Sequence, residues 1–473
     1  MSKSSKTLVM KFGGTSVGSA DAIRQVVEIV RNTRQDWGRV VVVTSALSGV
    51  TNVLLESATR AAKGDLSAFY QAVRDLTERH YTVLTELIPD LARQNQVRQE
   101  INHLLNDFSN LGQAIHILGE ASPRALDAVA SLGERLCVRI LAGAIEASGL
   151  PAQYVESTQC IITDDQFQNA VPDMDATARS TKNILNPVLD SGRVPVVTGF
   201  IGATPTGVIT TLGRGGSDYS ASILGVALGV DEVWIWTDVD GVMTADPRIV
   251  PDARTMAVAS YREVAEMAHY GAKVLHPKSI RPVIEAGISL RVCNTFNPQN
   301  PGTLLVSEKQ ANGRGTIKAV AVLKNLRLVT VSGGGMMGVP GIAGRIFTAV
   351  ADTGVSIPLI IQSSSEQAIC FAVPNQSADE IITVIGSRLS REFFRRDIDQ
   401  ASASDDVDVI TVVCPGLRTT PGVAGKIFNS LGEKGINVQA ISFGGSDISI
   451  NLIVSPADTR QAMQILHTLI PVA

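Results

Sequence analysis

An internal repeat restricts the carboxy-terminal third of this chain more tightly than any other feature. Pro340–Ile357 aligns with Pro421–Val438 at a constant offset of 81, with seven of eighteen positions identical. Each copy follows a β-branched apolar run, Leu326–Val331 or Val407–Val413. Each precedes two more such runs, Ile357–Gln362 and Ala368–Val373 in the first, Val438–Phe443 and Ile448–Val454 in the second, and a helical pattern closes each copy. The order β-α-β-β-α-β is that of a ferredoxin-like unit, and two copies are too few for a solenoid. A paired module is therefore expected, with units over 326–400 and 407–473 and the polar stretch Ala401–Asp406 as a break between them. Lys309–Thr316 reads as a linker. The strand Thr316–Leu323, within the connecting residues 309–325, can complete either unit.

Before the linker, from Leu8 to about Val306, short apolar runs alternate with helical patterns: Val40–Val43, Val194–Thr198, Glu232–Trp236 and Ile288–Val292. Gly, Asp and Ser follow most of these runs. That is the pattern of an open, mainly parallel α/β sheet with helices on both faces and functional loops at strand carboxyl ends. Residues 1–308 are thus expected to form one catalytic domain, interrupted at about 54–121 by a helical insertion without strand signals. A chain of 473 residues is too long for one ordinary core.

Bulk properties exclude several functions. The formal net charge of −4 carries no block of like charges, so neither nucleic acid nor an anionic membrane surface is expected as a partner. No apolar run approaches the ~18 residues of a transmembrane helix. The start, Met-Ser-Lys-Ser-Ser-Lys, has no signal-peptide core, and five scattered cysteines without a Cys-x-x-Cys pair read as reduced thiols; a cytoplasmic protein is expected. Zinc-ligand spacing is absent, and no protein metal site is expected. Gly333–Gly338 formally matches a dinucleotide fingerprint, but the unit around it is too small and its repeat partner lacks the glycines.

Two glycine loops carry the chemistry. Lys11-Phe-Gly13-Gly14-Thr-Ser16 follows the first apolar run, and Gly213-Arg214-Gly-Gly-Ser217-Asp218 lies two hundred residues on. Glycines let backbone N–H groups approach phosphate oxygens, and a Lys ammonium neutralises transferring charge. Alone, Lys11 would read as a surface lysine at a strand end, and Ser16 as a helix cap. Ser45 and Thr51 sit in the next strand-to-helix loop, suited to capping or to anion binding. Glu134 lies on an apolar helix beside Arg135, where an exposed ion pair is the plain alternative to a role in binding. Arg214 suits a carboxylate, and Asp218 could orient Lys11 or a metal-bound phosphate. Thr237-Asp238 ends another strand, where a simple turn would also explain the pattern.

Taken together, Lys-Phe-Gly-Gly-Thr-Ser-Val at 11–17, Ser-Ala-Leu-Ser-Gly-Val-Thr-Asn at 45–52, Gly-Glu-Arg-Leu at 133–136 and Thr-Thr-Leu-Gly-Arg-Gly-Gly-Ser-Asp-Tyr at 210–219 resemble aspartate kinase. Trp-Thr-Asp-Val-Asp-Gly-Val at 236–242, Ala-Asp-Pro-Arg at 245–248 and Gly-Ala-Lys-Val-Leu-His-Pro at 271–277 continue the match in order. The repeated module resembles the tandem ACT domains of that family. The resemblance implies ATP-dependent phosphorylation of L-aspartate with Mg²⁺, the first step towards lysine, threonine and methionine. It implies that Lys11 contacts the transferring phosphoryl group and that Asp218 orders the lysine and its glycine loop. Ser45, Thr51, Glu134, Arg214 and Ser217 would hold aspartate, with Arg214 on the α-carboxylate and Glu134 on the ammonium. Lys11, Gly13, Gly14, Ser16, Thr237, Asp238, Arg248 and Lys273 would form the ATP side. Met243 departs from relatives that carry tyrosine there. The ACT pair implies feedback by an amino acid gripped by Met337, Gly338, Val339, Gln362, Ser363 and Ser364. Gln-Ser-Ser-Ser-Glu at 362–366 looks more like threonine-sensitive relatives than lysine-sensitive ones. With the chain ending at Ala473, no fused dehydrogenase is expected, and open ACT edges imply a homodimer or larger homo-oligomer. Rival readings are a kinase of the same fold acting on glutamate, carbamate or a nucleotide, and an inactive amino-acid sensor.

Overall fold

The computed structural model describes residues 6–270, 275–308, 313–363, 367–443 and 447–471. They fall into two compact units. The first comprises the described residues of Met1–Val242, Met256–Tyr261 and Val274–Glu308; the second comprises those of Met243–Thr255, Arg262–Lys273 and Lys309–Ala473. The division thus differs from a single cut near residue 308, because two short segments of the amino-terminal sequence pack with the carboxy-terminal one.

In the first unit the strands are β1 (Thr7–Phe12), β2 (Arg39–Thr44), β3 (Ala152–Val155), β4 (Val194–Thr198), β5 (Ile201–Ala203), β6 (Ile209–Thr211), β7 (Glu232–Thr237), β8 (Val258–Ser260), β9 (Ser289–Asn294) and β10 (Thr303–Val306). Eight form one sheet in the order β3-β4-β2-β1-β7-β9-β10-β8, parallel except at the β9–β10 pair; β5 and β6 form a separate hairpin. Leu8, Val9, Met10 and Phe12 are all fully buried, as a central strand covered on both faces requires. The strand order runs one way from β1 to β2 and the other way to β7, so a crevice opens at the carboxyl end of β1.

The helices of the first unit are α1 (Ala20–Asp36), α2 (Val50–Ala62), α3 (Leu66–Leu87), α4 (Leu91–Leu118), α5 (Pro123–Ala147), α6 (Met174–Asp190) and α7 (Gly216–Leu228), with α9 (Pro277–Glu285) after α8 (Tyr261–His269), which falls almost wholly in the second unit. The strand-free stretch expected near 54–121 is the run α2–α4. Its core joins that of the sheet through Leu54, Phe69, Leu84, Ile101 and Phe108. Gly112 is obligatory there, since a Cβ would lie 1.9 Å from the Phe69 ring. No described helix is long and apolar enough to cross a membrane.

The second unit contains β11 (Ala319–Ser332), α10 (Ile342–Ala351), β12 (Leu359–Gln362), β13 (Ala368–Pro374), α11 (Ala378–Arg388), α12 (Ser390–Phe394), β14 (Gln400–Val413), α13 (Val423–Gly432), β15 (Ala440–Phe443), β16 (Ser449–Val454) and α14 (Thr459–Thr468). All six strands form one antiparallel sheet, β12-β13-β11-β14-β16-β15. The stretch Ala401–Asp406, expected as a break, lies inside the fourteen-residue strand β14. Its polarity has another cause. Ala401–Ala403 pair with Val329–Val331, whereas Val409–Val413 pair with Ala319–Leu323, and a register shift between Arg327 and Val329 marks the seam. There the Ser404 hydroxyl accepts from Leu328 N–H and its carbonyl from Arg327. The strand at 319–323 completes the second repeat, because Ile317 and Val320 share a core with Ile410, Val412, Leu452 and Leu466. Gly333 and Gly335 have a packing explanation: a Cβ on either would fall within 2.6 Å of a backbone oxygen in Arg396–Asp397.

Candidate active site

Loops after β1, β2, β4 and β7 meet the start of α7 and the middle of α5 around a cleft of about 540 Å³ in the first unit. Lys11, Gly13, Gly14, Thr15, Ser45–Gly49, Thr51, Asn52, Glu134, Phe200, Gly213, Gly215–Asp218, Thr237 and Asp238 line it. Two helices begin on its wall without a side-chain cap. The N-caps of α2 and α7 are Gly49 and Gly215, both left-handed at φ +79° and +68°. By contrast α1, α3, α4, α5 and α6 are capped by Ser19, Asp65, Asp90, Ser122 and Asp173. Uncapped first-turn N–H groups with the positive end of the helix dipole suit an anion.

Lys11 and Asp218 bring the two glycine loops together: Nζ lies 2.5 Å from the carboxylate, with both side chains largely buried. Gly13 holds the lysine loop to β7 by donating to the Trp236 carbonyl at 3.1 Å, and a Cβ there would sit 3.4 Å from the Lys11 ammonium. Gly14 passes the β2 loop so closely that a Cβ would lie 3.3 Å from the Ala46 carbonyl oxygen. At Gly215 a Cβ would strike the Ser279 hydroxyl at 2.4 Å, and that hydroxyl donates to the Gly215 carbonyl.

Glu134 is 3% exposed on α5. Ala46 N–H donates to its Oε1 at 3.2 Å, while Oε2 is buried without a hydrogen-bond partner among the described residues. Burial pushes this carboxyl up to about 8, only partly offset by the Ala46 N–H and the Lys11 ammonium. An unpartnered buried carboxyl oxygen on a cleft wall calls for a donor from outside the protein. The neighbouring Arg135 instead pairs with Glu156 at 3.0 Å, so the Glu134–Arg135 ion pair does not form.

Not every expected residue reaches the cleft. Ser45, Thr51, Ser217, Thr237 and Asp238 line it. Arg214 is exposed in the turn between the lining residues Gly213 and Gly215. Ser16 is fully buried and shares a 2.7 Å hydrogen bond with the Thr295 hydroxyl, outside the wall. Arg248 lies in the second unit, with its guanidinium held by Asp246 at 2.7 Å. Lys273 lies outside the described residues. The sequence reading missed Ser48, Asn52 and Phe200. Phe200 had a signal in Thr198-Gly-Phe-Ile-Gly202 at a strand end: it sits at φ +67°, and a Cβ on Gly216 would meet its ring at 2.5 Å. Among the described residues no cluster of His, Cys, Asp or Glu could by itself hold a metal ion.

A cavity of about 370 Å³ in the second unit is lined by Gly338, Val339, Gly341, Gln362 and neighbouring apolar residues, at the uncapped start of α10. Met337 is 61% exposed and is not among its lining residues. Ser363 closes the β12–β13 turn through Ala368. Ser364 lies outside the described residues.

Residues 6–294 match the Amino acid kinase family, and 329–389 and 410–469 each match an ACT domain. The bifunctional aspartokinase/homoserine dehydrogenase 2 of Arabidopsis thaliana is 34% identical over 468 residues, covering 97% of this chain and 50% of that protein. The chain spans about half the length of such bifunctional relatives. Aspartokinase 1 of the same plant is 31% identical, covering 98% of this chain and 79% of that protein. E. coli aspartokinase III, solved with aspartate and ADP, superposes at a TM-score of 0.79 with 29% identity over 98% of this chain and 99% of that one. Its complex with lysine and aspartate gives a TM-score of 0.80 with 30% identity and the same coverage.

Proposed function

This chain belongs to the aspartate kinase family, and on that premise we propose that it transfers the γ-phosphoryl group of ATP to the side-chain carboxylate of L-aspartate. One observation carries the reading: a paired Lys11–Asp218 and an unpartnered Glu134 oxygen share one cleft with two uncapped helix starts. The first set suits a phosphate chain, and the second suits an ammonium. Aspartate supplies that ammonium together with an acceptor already ionised at pH 7, so no general base is required. The transfer brings two anions together, and Lys11 offsets the repulsion while loop N–H groups hold the oxygens in line. Asp218 fixes the Lys11 ammonium. Ser45, Thr51 and Ser217 offer hydroxyls to aspartate. Arg214 swings in from its exposed turn to take the α-carboxylate. Gly13, Gly14, Thr237 and Asp238 serve the nucleotide. Ser16 supports the loop from behind, through Thr295. Asp218 and Asp238 would be the residues at hand for a magnesium ion bound with the nucleotide, which would supply neutralisation of phosphate charge.

Regulation is proposed at the cavity beside α10. An α-carboxylate fits its helix start and an amino-acid hydroxyl fits Gln362, which favours threonine over lysine. The lysine complex of the E. coli relative supports an amino-acid effector of some kind. Exposed Ile360, Ile441 and Phe443 on the sheet edges β12 and β15 support self-association of ACT sheets. A coupled ADP-release assay with aspartate against glutamate, repeated with threonine, lysine and methionine, tests this reading. Aspartate-dependent ADP release, inhibited by threonine, is expected. Release with glutamate alone, or amino-acid binding without any ADP, contradicts it.

A further inference from the structure

Asp127 is only 1% exposed, lies near the start of α5, and belongs to none of the motifs above. Its carboxylate accepts from Thr211 N–H at 2.9 Å, the Thr211 hydroxyl at 2.8 Å and Gln168 N–H at 3.0 and 3.1 Å. Every partner is a donor. Burial raises this carboxyl and the bonds from Gln168 and Thr211 lower it, with burial the larger influence.

Both partners sit at strained or crowded backbone. Gln168 is a non-glycine residue at φ +69°, a conformation that persists only where its surroundings enforce it. Thr211 ends β6, two residues before Gly213 at φ +78°. A Cβ on Gly213 would lie 3.0 Å from the Gln168 carbonyl and from Asn169 Oδ1, so the two loops touch where Asp127 ties them. Ala170 N–H donates to the Thr211 carbonyl at 2.9 Å, and Lys278 reaches Asn169 at 2.6 Å. From this knot the chain enters Gly213–Asp218, the turn that carries Arg214, Ser217 and Asp218. In the other direction, α5 runs about two turns from Asp127 to Glu134.

We propose that Asp127 is a positioning residue for substrate: it registers the Gly213–Asp218 turn against Glu134 through one rigid helix. This inference rests on the proposed aspartate kinase reading, because it assigns Glu134 and the turn to opposite ends of one amino acid. The carboxylate sets the spacing between the group that receives the ammonium and the turn whose Arg214 receives the α-carboxylate. The loops of Gly13–Gly14 and Thr237–Asp238 stand on β1 and β7, away from Gln168 and Thr211, so that part of the nucleotide side is spared, while Asp218 in the registered turn carries the smaller loss to kcat.

The test is steady-state kinetics on the full chain. Wild type must first release ADP with aspartate; if it does not, the functional reading fails, and this inference is withdrawn with it rather than refuted by its own variants. Asp127→Ala is then expected to raise the aspartate KM about tenfold, with the ATP KM within threefold of wild type and kcat lowered less than tenfold. Asp127→Asn is expected to behave like the alanine variant, because its amide NH2 would face N–H donors. Should Asp127→Ala not fold, Thr211→Val removes one donor and is expected to raise the aspartate KM about threefold. A purely structural role lowers the melting temperature and the active fraction but leaves both KM values at wild type. That result, or an equal rise in both KM values, overturns the proposal.

Discussion

Replacing Glu134 with glutamine isolates the most perturbed carboxyl in the cleft at nearly constant volume. In the folded protein burial holds this group at about 8 against an ordinary 4.5. The folded state therefore binds the proton more tightly than the unfolded chain. Stability associated with the neutral form is full below 4.5 and is lost as pH rises toward 8. Integrating the difference between those two values gives a wild-type loss of ~3 kcal/mol between pH 5 and pH 8. A neutral amide escapes that loss, so Glu134→Gln should gain on wild type by roughly 3–5 °C in melting temperature over this interval. Aspartate reverses the order, since its ammonium favours the ionised carboxyl. The wild-type aspartate KM should fall as pH rises from 6 to 8, with proton release on binding. The variant should show a flat pH profile and a KM roughly 10- to 100-fold higher at pH 8, the range expected for losing a hydrogen bond to a charged group. Thermal melts across pH with and without aspartate, paired with KM measurements, read both effects. Parallel melting curves for the two proteins, or a KM profile of the same shape in both, would refute the reasoning.

Lys11→Ala should lower kcat about 10²- to 10³-fold with little change in the aspartate KM, as expected for a group acting chiefly on transition-state charge; initial-rate kinetics read the split. Gly215→Ala should lose activity at least tenfold, because it strains a φ of +68° and drives a Cβ into the Ser279 hydroxyl; the double variant Gly215→Ala/Ser279→Ala should recover part of the loss. Gly112→Ala places a methyl 1.9 Å from the Phe69 ring and should destabilise the first unit by about 1–3 kcal/mol in denaturant titration. Gln362→Ala should raise the half-inhibiting threonine concentration at least tenfold in the ADP-release assay.

The strands and their loops were legible because their signals are local. Apolar runs such as Val40–Val43 and Val194–Thr198 lie in the strands they announced, and the repeat announced the second unit's elements. Residues whose roles depend on distant packing were harder to read. Periodicity placed Glu134 on a helix, but only the Ala46 loop and burial on all sides of α5 separate it from Arg135, which turns to Glu156. Asp127 carries no motif at all, since its partners Gln168 and Thr211 come from a distant loop and the end of β6. The Ala401–Asp406 stretch misled because a strand crossing the seam between two repeats is half-exposed and polar without being a break. Ser16 looked like a cap or a phosphate ligand, yet Thr295, 279 residues further along the chain, claims its hydroxyl.

Chemical trapping of the product tests the central claim most directly. With ATP, magnesium and aspartate in the presence of hydroxylamine, the wild-type protein should yield aspartyl hydroxamate in step with ADP, and Lys11→Ala should yield almost none. ADP formed without hydroxamate, or hydroxamate formed equally well by the Lys11 variant, would contradict a carboxyl phosphotransfer centred on that lysine.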